Sequence, residues 1–206
     1  MSSLGSREKY LLLDVARRAV TRAAEFHETL ANLPADEILQ RPGGAFVTLR
    51  RRSGRLRGCI GQLPSKDPLV AVVAHCASAA ALEDPRFSAV SPQELDEIEI
   101  EISVLSPLES IAPDEIEPGK HGLVVTRGSN RGVLLPQVAV EFHFSAERFL
   151  EETCLKAGLE REAWKNAATH IEAFTAEVFS ESDARLEEKS HREPQARTKT
   201  RYSSST

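Results

Sequence analysis

The stretch Ile98-Glu99-Ile100-Glu101-Ile102-Ser103-Val104-Leu105 places an aliphatic side chain at every second position, with polar residues in most of the gaps. Successive strand side chains point to opposite faces, so this alternation predicts a strand with one face in a core. Just upstream, Ser91-Pro92-Gln93-Glu94 has the spacing of a capping box and predicts a short helix leading into that strand. Further back, Ala45 to Leu49 and Leu56 to Leu63 read as strands on either side of Arg51-Arg52-Ser53-Gly54. Gly54 tolerates the positive φ that a tight turn demands, so a hairpin is the simplest account.

Helical spacing surrounds these strands. Leu12, Val15, Ala16, Ala19, Val20 and Ala23 recur at three- and four-residue steps, which predicts an amphipathic helix over 7–32 with Ser6 as its cap. Asp67-Pro68 is expected to open an alanine-rich helix running to about Glu83, the carboxylate capping free amides and the proline having no amide to leave unpaired. Leu123 to Thr126 and Val133 to Leu135 are expected as strands around Gly128-Ser129-Asn130. Ser145 should open a helix that Gly158 closes, and Trp164 falls on another expected helix. Ile171 to Phe179 forms the last apolar segment. Residues 182–206 contain too few large apolar side chains to offset the entropy of ordering, so a disordered polar tail is expected after a single domain over 1–181. Mixed strands and helices with short connections predict an α+β fold, mainly antiparallel sheet with flanking helices.

Composition narrows the function classes. A net charge of −5 and an aromatic content of 5% argue against a general nucleic-acid or anionic-membrane binder, which needs cationic surface and stacking platforms. No window approaches the roughly 18 apolar residues that span a bilayer, and no basic, then apolar leader opens the chain; a soluble, cytoplasmic protein is expected. The three cysteines, Cys59, Cys76 and Cys154, are widely spaced, which suits a reducing compartment and predicts neither a disulfide framework nor a structural zinc site.

The order of several motifs carries a resemblance. Leu56-Arg57-Gly58-Cys59-Ile60-Gly61 is followed by Asp84-Pro85-Arg86-Phe87 and by Ile102-Ser103-Val104-Leu105-Ser106-Pro107-Leu108. Then come Gly119-Lys120-His121-Gly122-Leu123, Leu134-Leu135-Pro136-Gln137-Val138-Ala139 and Phe149 through Leu159. Together these resemble the AMMECR domain family, of the prokaryotic AmmeMemoRadiSam system protein A type, over about residues 8–180. The resemblance implies one α+β domain with a larger and a smaller subdomain and a cleft between them, and an intracellular location. It implies association with a Memo-like protein and a radical S-adenosylmethionine protein, and it implies no settled activity. Phe142-His143-Phe144 departs from the family pattern, where a tryptophan is expected.

Cys59 is the sharpest candidate for chemistry. Gly58 and Gly61 allow close approach of a ligand and could offer amides to an oxyanion, and Arg55 and Arg57 could favour the thiolate. A buried packing cysteine is the competing reading. His121, in a loop between Lys120 and Gly122, is the candidate base; His75 is adjacent to Cys76 on a helix and reads as a solvated helix residue. Asp84, Arg86 and Glu101 are candidate ligand contacts together with Arg57, Gly58, Gly61 and Gln137, against the alternative of an internal Asp84–Arg86 pair. Glu99 and Glu101 share a strand face and could form a carboxylate pair. The arginines at 50, 51, 52, 55 and 57 form the one dense basic patch, suited to phosphate or an acidic partner, or to guarding a strand edge. Metal ligands are not apparent, and no cofactor is indicated. Two functions compete: an enzyme that acts on a cleft-bound small metabolite through Cys59, and a non-catalytic adaptor that docks a Memo-like or radical S-adenosylmethionine partner.

Overall fold

In the computed structural model, residues 3–184 are described. Helix α1 (Ser6–Phe26) precedes the hairpin of β1 (Gly44–Arg51) and β2 (Leu56–Gln62), which is followed by α2 (Leu69–Leu82) and β3 (Ile98–Leu105). After β4 (Glu109–Ser110) come β5 (Gly122–Arg127), β6 (Asn130–Leu134), α3 (Pro136–Glu141), α4 (Ala146–Lys156), β7 (His170–Phe174) and β8 (Ala176–Ser180). The strands form two antiparallel four-stranded sheets, ordered β2-β1-β3-β8 and β4-β7-β5-β6. The fold is α+β, as the mixed pattern predicts.

The first sheet buries the face that the alternation marks. Ile98, Ile100, Ile102 and Val104 join Ala45, Val47 and Leu49 against Val15, Ala19, Val73 and Ala77 of α1 and α2. Small side chains on both helices let them lie close to the sheet and to each other, so this core is filled mainly by aliphatic side chains, with Phe179 of β8 as an aromatic member. The second sheet packs Leu123 and Ala173 against Phe149 and Leu150 of α4. Its other face turns Val124 and Phe174 toward Phe46 and Leu105 of the first sheet. Pleat alternation therefore gives β5 two dry faces, which explains its run of buried residues.

Several local expectations are corrected. The α1 helix runs Ser6–Phe26, with Gly5 at its cap and no side-chain cap bond, and His27 ends it at φ 56. Asp67 does not cap α2, since its carboxylate accepts from Gln62 Nε2 at 2.8 Å and Ser65 Oγ at 2.9 Å. A side-chain amide and hydroxyl compete successfully for an oxygen that the local pattern assigns to the helix. Trp164 lies on a 3-10 turn, Arg161–Lys165. The apolar segment 171–179 is two strands, not one, because Thr175 carries the chain from the second sheet to the first. By contrast, Ser145 Oγ does accept from Arg148 N, at 3.2 Å. Ser182 N donates to Glu99 Oε1 at 3.2 Å and Ser180 bonds to Asp183, so the start of the expected tail is held to the sheet. The remainder of that expected tail, 185–206, lies outside the described residues.

Candidate functional site

Thr48 stands at the centre of a row that crosses three strands, opposite Cys59 on β2 and opposite Glu101 on β3. The Cys59 amide and carbonyl point to the outer edge of β2, so Thr48 and Cys59 form a pair without mutual backbone bonds, in which side chains approach closely. The Thr48 hydroxyl accordingly donates to Cys59 Sγ at 3.3 Å. This row lies on the sheet face opposite α1 and α2.

The free edge of β2 at Cys59 is completed by side chains. Asp84, buried at 4% exposure, accepts the Cys59 amide at 2.8 Å through Oδ2. Arg86 donates to the Cys59 carbonyl at 3.4 Å, and its Nε and Nη2 make a forked pair with Asp84 at 2.9 and 2.7 Å. The Arg86 guanidinium and the amides of Cys59 and Arg86 hold the Asp84 carboxyl down at about 2, against the pull of its burial. The internal Asp84–Arg86 pair is therefore present, and it acts on the backbone of Cys59 itself.

The setting of the thiol disfavours its charged form. Burial pushes the Cys59 pKa up, and the Thr48 hydrogen bond and the Arg86 charge offset that only in part, while Asp84 and Glu101 push it further up. Arg57, expected to favour the thiolate, is committed elsewhere. Its guanidinium, on a residue 5% exposed, takes both Glu94 oxygens at 2.9 and 3.0 Å and the carbonyls of Ser88 and Ala89 at 2.9 and 3.2 Å. That pairing holds Glu94 at about 2. The two glycines also have packing work: a Cβ on Gly58 would sit 2.2 Å from the Ala80 carbonyl oxygen of α2, and one on Gly61 would sit 2.1 Å from the Phe46 ring. Close approach of the chain to itself accounts for both.

His121 is not brought to Cys59. It lies at the entry to β5, where Nδ1 accepts from Glu117 N at 3.2 Å, and it lines a depression with Ser106, Glu109 and Glu117. The pairing of the two as nucleophile and base has no support in this arrangement. His75 is an exposed residue of α2. Glu99 accepts from Ser182 and Glu101 faces Arg50 at 3.7 Å, so the two carboxylates serve different partners.

Gln137 does reach the face that carries Cys59. From α3, its Nε2 donates to Ser103 Oγ at 3.3 Å, and its buried Oε1 has no hydrogen-bond partner among the described residues. Ser103 lies two residues along β3 from Glu101, about 7 Å by strand rise. The chain thus gathers Cys59, Asp84, Arg86, Glu101 and Gln137 around one sheet face, and adds Thr48 and Ser103, which sequence reasoning missed. The hairpin register carried the signal for Thr48, because any residue opposite Cys59 must be its neighbour. Among the described residues no group of three or more His, Cys, Asp or Glu side chains converges as a metal site, and no helix is long and apolar enough to cross a membrane.

The arginine patch is neutralised only in part. Arg51 pairs with Glu94 and Glu97, Arg52 donates to the Asp96 carbonyl, and Arg50 faces Glu101. Glu94 and Glu97 lie in the 3-10 turn Pro92–Glu97, and Glu101 lies on β3.

Comparison with known proteins agrees with this architecture. The AMMECR1 family model matches residues 13–179. A protein of Thermofilum pendens is 40% identical over 200 residues, covering 88% of this chain and 93% of the relative. Protein TK0174 of Thermococcus kodakarensis is 41% identical over 183 residues, covering 82% of this chain and 88% of its own length. The crystal structure of uncharacterized protein PH0010 from Pyrococcus horikoshii superposes with a TM-score of 0.75 at 39% identity, covering 84% of this chain and 91% of that one. The matched segment contains the Cys59 strand, the Asp84–Arg86 clasp and Gln137 alike, and the chain belongs to the AMMECR1 family.

Proposed function

We propose that the chain binds a small polar ligand over the Cys59 face, with Cys59 serving as a neutral lining group and not as a nucleophile. The observation that carries this reading is the buried, unpartnered Oε1 of Gln137 beside Ser103. An unsatisfied buried carbonyl costs about 1–3 kcal/mol, and a ligand donor recovers that loss once the Gln137 carboxamide turns outward to meet it. Thr48, Ser103 and Glu101 supply further polar contacts on the same face, next to the place where the two sheets adjoin. The raised thiol pKa and the absence of a contacting base favour binding over cysteine catalysis.

Two measurements test it. Alkylation of Cys59 by iodoacetamide against pH, read by peptide mass spectrometry, should give a midpoint at or above the ordinary thiol value of about 8.5; an acid-shifted midpoint overturns the neutral-thiol assignment. Amide and side-chain NMR shifts under a panel of small amides, amino acids and nucleosides should move Cys59, Ser103 and the Gln137 carboxamide together. The reading fails if the whole panel leaves them unmoved.

A second reading, an adaptor that docks a Memo-like or radical S-adenosylmethionine partner in the cytoplasm, rests on the family resemblance and on one surface feature. Val140 and Phe142 are 61% and 59% exposed, and Phe142 stacks on Phe144 at 5.5 Å between ring centroids. Co-purification of the partner that is lost in Phe142→Glu would favour docking; retention in that variant would remove its one structural support.

A further inference from the structure

Next to the β1–β2 turn lies a depression of about 450 Å³ lined by Arg51, Arg55, Leu56, Arg57, Phe87 and Glu94. Its charge does not cancel. Glu94 is the one carboxylate in that lining against three guanidiniums, and Glu97, outside the lining, also pairs with Arg51, which leaves a surplus of one positive charge centred on Arg55. Arg57 is fully committed, with Nε, Nη1 and Nη2 all bonded inside the protein. It therefore contributes fixed charge and holds Glu94 in place. Arg51 is only partly committed: Nη2 bonds Glu94 at 2.7 Å, Nη1 reaches Glu97 at 3.5 Å, and its side chain is 40% exposed. The Arg55 side chain is exposed and, among the described residues, has neither hydrogen bond nor ion pair. Phe87 also lines the depression, and the guanidinium carbons of Arg57 and Arg86 lie 6.0 and 5.5 Å from its ring centroid.

We propose that this depression is a phosphate-ester site, in which Arg51 and Arg55 hold the oxyanion and Leu56 and Phe87 pack against the group it is attached to. With the positive surplus fixing the sign, donor number fixes the group: Arg51 and Arg55 together offer more N–H donors than the two oxygens of a carboxylate take up, whereas the three terminal oxygens of a phosphate monoester suit two forked guanidiniums. Glu94 already occupies the single-carboxylate role within the arginine cluster. The lining shares no residue with the contacts proposed over the Cys59 face, so either proposal can fail without the other.

Isothermal titration of the full chain with inorganic phosphate, phenyl phosphate and acetate tests the assignment. Phosphate should bind saturably, phenyl phosphate more tightly because it also covers Leu56 and Phe87, and acetate not at all. Arg55→Gln removes a side chain with no partner inside the described fold, so the variant should keep its native circular dichroism and lose phosphate affinity by about tenfold, the worth of one charge-assisted contact. Arg18→Gln, on the exposed face of α1, should bind as the unaltered chain does. The proposal is overturned if phosphate shows no saturation, if acetate binds as well as phosphate, or if folded Arg55→Gln retains full affinity.

Discussion

Asp84 Oδ2 accepts the backbone amide of Cys59 at 2.8 Å, so a carboxylate from the loop after α2 stands where a neighbouring strand would otherwise supply a carbonyl. The same carboxylate accepts from Arg86 N, Nε and Nη2, and this fixes the loop and the strand edge as one unit. Asp84→Ala should therefore cost about 2–4 kcal/mol, since it strands a buried amide and frees a guanidinium. Urea unfolding measures this; a loss under about 0.5 kcal/mol, the usual range for an uninvolved surface residue, would show that the clasp is incidental.

Acid should weaken the fold through two carboxylates. Asp84 and Glu94 are each held at about 2 in the folded chain, below the ordinary values of roughly 4 in the unfolded chain. The folded pKa values are depressed, so the stabilisation is complete above about pH 5 and is lost as pH falls from there toward 2. Each group contributes on the order of 2 kcal/mol. Thermal unfolding should thus be flat with respect to these groups between neutral pH and pH 6 and should drop below 5. The drop should be shallower in Glu94→Gln, and an unchanged acid limb in that variant would refute the linkage.

Gly58 and Gly54 should respond differently to alanine. At Gly58 the added methyl would meet the Ala80 carbonyl oxygen, a backbone atom that moves only if α2 moves, and a loss of about 2 kcal/mol or more is expected. At Gly54 nothing lies within 4 Å, and the cost is confined to holding alanine at φ 81, about 1 kcal/mol. Denaturant midpoints of the two variants give the order directly.

Gln137→Leu should leave stability within about 1 kcal/mol, because the lost bond to Ser103 is offset by relief of the unpartnered Oε1. The variant should nonetheless lose the ligand-induced NMR shifts on the Cys59 face. A destabilisation above about 3 kcal/mol would mean that the carboxamide is fully satisfied in the native protein, which contradicts the open acceptor.

The two-residue alternation at 98–105, the hairpin around Gly54 and the helical spacing of 12–23 were legible because each is set by neighbours within a few residues, and pleat and pitch follow directly from the order of side chains. The family was legible for the same reason, as an ordered string of short motifs. What the sequence alone could not decide was which polar groups meet. Asp67 went to Gln62 and Ser65 instead of to α2, Arg57 went to Glu94 instead of to Cys59, and Thr175 broke an apolar run into strands of different sheets. Each choice depends on partners brought close by the packing of distant segments, because a buried charge or amide takes whichever complement the folded chain places within bonding distance. The reactivity of Cys59 belongs to that second kind: its flanking residues suggested a thiolate, and burial, with the charges of Asp84 and Glu101, pushes toward the thiol.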